Sequence, residues 1–129
     1  MLKLLLIGMG GFVGALARYG LTVWVMGHGH TLPFGTFSVN LVGCVLFGAG
    51  IGFIEAREMD EQLRAFLFIG ILGAFTTFST FSYEAFELIR SGDVGMAVAY
   101  TIGSVVIGLL VLWAGHWTMT RILAQFTFS

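Results

Sequence analysis

Charge is scarce in this chain. Six Lys/Arg and seven Asp/Glu among 129 residues make 10% charged, against about 25% in an ordinary soluble domain. That is too little to wet a globular surface, so lipid is the expected solvent. The charges that exist form no basic block, which removes nucleic acid from the expected partners. A single cysteine, Cys44, excludes an internal disulfide. His28, His30 and His116 are scattered and no Cys/His cluster suggests a structural metal site. No Ser/His/Asp set or paired carboxylates is spaced for catalysis, so no enzyme is expected. Proline occurs once, at Pro33, in a link rather than a helical run.

What the chain does have is apolar length, with 57% hydrophobic residues. A bilayer span takes about 20 mostly apolar residues. Four stretches qualify, at about 2–26, 34–54, 65–89 and 95–120, and predict an all-α membrane protein of one integral membrane domain. The stretch 55–64, EAREMDEQLR, holds six of the thirteen charges and must lie in water. GHGHTLP and RSGDV read as tight links. The start, with Lys3 before an apolar run, resembles a signal peptide. Four glycines before Ala15 and renewed hydrophobicity to Met26 favour a span instead.

Four spans put both termini on one side. Lys3, Arg57, Arg64 and Arg121 fall there, against Arg18 and Arg90 toward the other. Under the positive-inside rule this bias is weak and permits insertion in either direction. Gly10-x-x-x-Gly14 and Gly48-x-x-x-Gly52 have the small-residue spacing that brings helix backbones close, and it suits packing within one chain. Four short spans enclose little space for a pathway, so a homo-oligomer is expected.

Polar residues inside the runs mark the candidate site. Asn40 is the one amide in mid-span and shares a helical face with Thr36, Gly43 and Phe47. Tyr100 and Ser104 share a face of the fourth span, with Gly108 next on it. Glu84 is deep enough to line a wet vestibule, whereas Glu87 is interfacial. Arg18 lies about two turns from the end of the first span, where snorkelling and a functional role are equally open. The densest cluster is GAFTTFSTFSYE, Gly73 to Glu84, with Thr76, Thr77, Ser79, Thr80 and Ser82 within seven residues. Back-bonding to the preceding turn accounts for one or two such hydroxyls, not five. Threonines after Gly70 and Gly73 weaken a helix. They predict a third span broken near Gly73 to Thr77, tolerated at membrane depth only inside protein or along a wet cavity. The first half-helix would end in freed carbonyls, the kind of end that coordinates Na⁺ in transporters. Hydroxyls and the Asn40 amide donate hydrogen bonds, and the ring edges of Phe78 and Phe81 are the positive part of the aromatic quadrupole. Such groups attract a small anion without holding it as a full charge would.

Three stretches, GGFVGALARY (10–19), GTFSVNLVGC (35–44) and GAFTTFSTFSYE (73–84), together resemble the CrcB/Fluc family of fluoride channels. The likeness runs in order over essentially the whole chain, and TTFSTF is its most specific part. The resemblance implies passive fluoride export that protects the cell, from a multi-pass position in the inner (plasma) membrane. It implies an antiparallel, dual-topology homodimer and a central Na⁺ on the backbone carbonyls of Gly73 and Thr76. It also implies pore roles for Phe78, Phe81 and Asn40 and a polar track through Tyr100 and Ser104. Two other readings compete. A small four-span multidrug or cation transporter of the proton-exchanging kind needs a carboxylate in its first span, and Met1 to Met26 has none. A non-transporting assembly subunit has no use for so many hydroxyls in one span.

Overall fold

The computed structural model describes residues 1–27 and 33–126; His28 and His30 lie outside them. Every regular element among the described residues is helical. The order is α1 (Leu2–Met26), α2 (Phe34–Ala56), α3 (Glu61–Arg64), a π-helical stretch (Ala65–Leu72), α4 (Gly73–Phe75), α5 (Phe78–Arg90) and α6 (Val94–Gln125). Among the described residues, four helical segments are long and apolar enough to cross a membrane: α1, α2, Glu61–Arg90 and α6. They match the four apolar runs. At 32 residues α6 outlasts its run, ending at Gln125 rather than near Thr120, because hydrogen bonds carry a helix on after hydropathy has fallen.

Local signals explain the ends. Pro33 precedes α2, where a missing N–H costs nothing. Asp60 caps α3, its Oδ1 accepting from the N–H groups of Gln62 and Leu63 at 2.9 and 3.1 Å. Gly92, at φ +91°, turns the chain between α5 and α6 in the left-handed conformation that glycine adopts without strain.

Glycine contacts bring the backbones together. A Cβ at Gly10 would lie 2.6 Å from the Phe66 carbonyl oxygen, and one at Gly70 would lie 2.9 Å from the Gly10 Cα. Gly14 sits as tightly on the Ile71 carbonyl. Along α2, Gly48 and Gly52 face the backbone of α6 at Leu112 and His116, and Gly115 returns the contact toward Val45. Both G-x-x-x-G spacings therefore serve contacts within one chain: α1 on the π-helical stretch, and α2 on α6. An N–H···O bond of 2.6 Å between His116 Nε2 and Glu55 Oε2 fastens the far end of the α2–α6 pair.

The π-helical stretch has no counterpart in the sequence reading. Its wider winding appears where the Gly73 N–H reaches back to the Phe68 carbonyl, five residues earlier. The Phe68 ring lies over Gly50, where any side chain would collide with it, and meets Phe47 edge-on at 5.1 Å and 82°. Beyond α4, Thr76 (φ −76°, ψ 155°) and Thr77 (φ −146°, ψ 114°) are extended, and α5 begins at Phe78. No residue of α5 is buried within the single chain.

Candidate functional site

The polar residues of the spans collect in two places joined by aromatic rings. The first is centred on Thr77. Asn40 on α2 grips its backbone with both ends of the amide: Oδ1 accepts from the Thr77 N–H at 2.9 Å, and Nδ2 donates to the Thr77 carbonyl at 3.2 Å. On sequence alone Asn40 is expected to be a pore-facing donor. Here its oxygen and one of its two N–H groups are committed to backbone, leaving one N–H. Thr77, buried at 8% exposure, caps α5 with its hydroxyl, which accepts from the Thr80 N–H at 3.3 Å and donates to Thr80 Oγ1 at 2.9 Å. Thr76 Oγ1 bonds back to the Leu72 carbonyl at 3.0 Å, and Ser82 Oγ to the Phe78 carbonyl at 2.9 Å. These two hydroxyls take up helix carbonyls rather than offering donors to a pathway.

Beside Thr77 lies a groove of about 450 Å³. Asn40, Phe47, Thr76, Phe78, Phe81 and Ser104 line it, with Cys44 on the α2 side, and none of its lining residues is charged. Ser104 Oγ is buried there with no hydrogen-bond partner among the described residues. A hydroxyl on a helix ordinarily turns to the carbonyl four residues back, so an unsatisfied one calls for an explanation.

The second cluster is a carboxylate held by two hydroxyls from neighbouring helices. Thr36 Oγ1 donates to Glu84 Oε1 at 2.7 Å, and the Tyr100 hydroxyl donates to Oε2 at 2.8 Å. Thr36 and Tyr100 are both buried, at 4% and 8% exposure. The Tyr100 ring stands 5.1 Å from that of Phe81, which is 5.8 Å from that of Phe78. An aromatic bridge thus links the carboxylate cluster to the groove. Phe78 itself is 79% exposed on the chain, while Phe81 is half-buried. Ser79, Thr80 and Ser82 are exposed and line no part of the groove.

Gly73 and Thr76 carry the carbonyls that the resemblance assigns to Na⁺, and the fit rests on where N–H groups point. In a continuous helix the Thr77 N–H would close onto the Gly73 carbonyl and the Thr80 N–H onto that of Thr76. The first donates to Asn40 and the second to the Thr77 hydroxyl. Two carbonyls at the negative end of a helix are therefore released by the donors that would normally close on them, and hard oxygen ligands suit an alkali cation. Thr77, the hub of this arrangement, stands out in the sequence only as one of five hydroxyls at the expected break, with no role of its own. Its signal was the cap pattern of a threonine followed three residues later by another polar residue, Thr80.

Four apolar helices, with an uncharged groove and a hydroxyl-held carboxylate beside the third, define a small multi-pass membrane protein. The family model described as CrcB-like protein, Camphor Resistance (CrcB) matches residues 5–116. Several relatives carry the name fluoride-specific ion channel FluC. One from Phocaeicola vulgatus is 43% identical over 118 residues, covering 91% of this chain and 98% of the relative. One from Thermus thermophilus is 41% identical over 115 residues, covering 88% and 91%. One from Salinibacter ruber is 46% identical over 117 residues, covering 89% and 87%. The chain belongs to the CrcB family.

Proposed function

We propose that this protein is a fluoride channel that lets F⁻ leave the cell passively and so relieves fluoride toxicity. It is a multi-pass membrane protein, which in bacteria places it in the plasma membrane. The observation that carries the reading is the groove, where an unsatisfied buried hydroxyl, an amide N–H and two phenylalanine rings meet without a fixed charge. Neutral donors offset the dehydration of a small anion yet let it go, as conduction requires. Reconstituted alone in liposomes loaded with fluoride, the protein should discharge F⁻ down its gradient with no proton gradient and no added subunit. Liposomes that retain their fluoride would rule out both the channel and its export role.

Finer parts of the reading follow from the resemblance and are supported by local geometry. The extended pair Thr76 and Thr77 acts as a break in the third span at membrane depth. The carbonyls of Gly73 and Thr76 hold a Na⁺, which when bound supplies a fixed positive charge beside a groove whose lining carries none. Thr36, Glu84, Tyr100 and Ser104 continue the path from the rings, with Asn40 at the groove. The working unit is an antiparallel homodimer of one membrane domain per chain. With the G-x-x-x-G faces used inside the chain, α5, which has no buried residue, is the face a second copy covers. On a Cys44→Ala background, Lys3→Cys should react with a membrane-impermeant maleimide in roughly equal amounts before and after the vesicles are opened. Labelling confined to one side would exclude dual topology.

A further inference from the structure

We infer that Asn40 and Thr77 are positioning residues for the cation, holding the Gly73 and Thr76 carbonyls open to it. The inference rests on the proposed Na⁺ at those carbonyls and adds what keeps them available. A helix closes by itself when an N–H four residues on can reach back. At this point in the third span two such N–H groups are intercepted. The Asn40 oxygen takes that of Thr77 at 2.9 Å, and the Thr77 hydroxyl takes that of Thr80 at 3.3 Å. Without the first, the Thr77 N–H is free to turn onto Gly73. Without the second, the Thr80 N–H is free to turn onto Thr76. In both cases a backbone donor would compete with the cation for the same lone pairs. The second Asn40 bond, from Nδ2 to the Thr77 carbonyl at 3.2 Å, fixes Thr77 in its extended conformation and keeps the two interceptions in step. Gly43, one turn along α2 from Asn40, leaves room for the Thr76 side chain, since a Cβ there would collide with its methyl group.

This separates cation binding from anion flux at one residue. Asn40→Asp keeps an oxygen that accepts from the Thr77 N–H, but places a negative charge beside the anion groove. Asn40→Leu keeps the bulk and loses the acceptor. Thr77→Val loses the hydroxyl, and Thr77→Ser restores it. The experiment is thermal melting of the purified full-length protein against NaCl, with N-methylglucamine chloride holding ionic strength constant, alongside fluoride efflux. The Na⁺ concentration at half-stabilisation should rise about tenfold in Asn40→Leu and Thr77→Val, the scale of one competing hydrogen bond. It should stay at the wild-type value in Thr77→Ser, and rise less in Asn40→Asp, which keeps the acceptor but loses the Nδ2 donor, than in Asn40→Leu, even though the aspartate variant passes little fluoride. A purely structural role would lower the melting temperature at every Na⁺ concentration and leave the midpoint in place. A wild-type midpoint in either Asn40→Leu or Thr77→Val, in protein that elutes normally, overturns the inference. Should Asn40→Leu fail to fold, the Thr77 pair decides it. A wild-type protein indifferent to Na⁺ would remove the cation itself, a distinct result that takes the inference with it.

Discussion

Phe81→Ile should lower fluoride efflux by at least about tenfold, the rate equivalent of losing a ring interaction of ~1.4 kcal/mol, in protein that still elutes as the wild type does. Isoleucine keeps the apolar bulk and deletes the quadrupole. Phe81 has packing partners, with Tyr100 at 5.1 Å and Phe78 at 5.8 Å, so its removal touches stability as well. The two effects separate by measurement. Loss of packing lowers the melting temperature and leaves the path open. Loss of a ring edge from the path stops fluoride in a folded protein. Phe78, mostly exposed on the single chain, lies on the α5 face that a second copy is proposed to cover, so Phe78→Ile should cost flux, with a change in melting that measures only the packing the partner supplies. Normal efflux from folded Phe81→Ile protein would take the ring out of the path and leave the hydroxyls and the amide to serve it.

The second large effect is on folding. Gly48→Ala adds one carbon where the Leu112 carbonyl already stands, and both neighbours are helix backbone that cannot rotate away. The α2–α6 pair must separate, at a cost near the upper end for overpacking, about 3 kcal/mol. Gly95→Ala, at the start of α6, meets nothing within 4 Å, and should stabilise by up to about 1 kcal/mol through helix propensity alone. Thermal melting in detergent measures both. Equal melting temperatures would mean that the close approach of α2 and α6 is not what Gly48 serves.

These glycines show where sequence reading stops. Spacing identifies a smooth stripe that suits packing within one chain, but it does not say which helix the stripe meets. The four spans were legible because hydropathy is summed over some twenty residues and survives local error. The π-helical winding at 65–72 was not, since it depends on which carbonyl an N–H selects and leaves no mark in composition. Thr36, Glu84 and Tyr100 each stood out as polar residues at depth, yet their meeting joins positions 48 and 16 residues apart, which only packing decides. Asn40 was picked out for its donors and is held mainly through its acceptor, because the extended Thr77 backbone offers an N–H that no helix would have left free. His116 looked incidental, and its bond to Glu55 spans 61 residues.

The length of α6 sets how the molecule sits in lipid. Thirty-two helical residues extend about 48 Å at ~1.5 Å each, against about 30 Å of hydrocarbon. α2, with 23 residues, comes to roughly 35 Å on the same rise. α6 must therefore lean or project, and its C-terminal end carries the means to stand among headgroups: Arg121 lies 5.3 Å over the Trp117 ring, an aromatic-cation pair of the kind found at the water boundary. Because Gly48 and Gly52 lock α2 to that same helix, α2 and the groove beside it move with α6 when the helix tilts. Bilayer thickness, acting through this lever, sets the depth of the groove and of the Phe78 and Phe81 rings that line it.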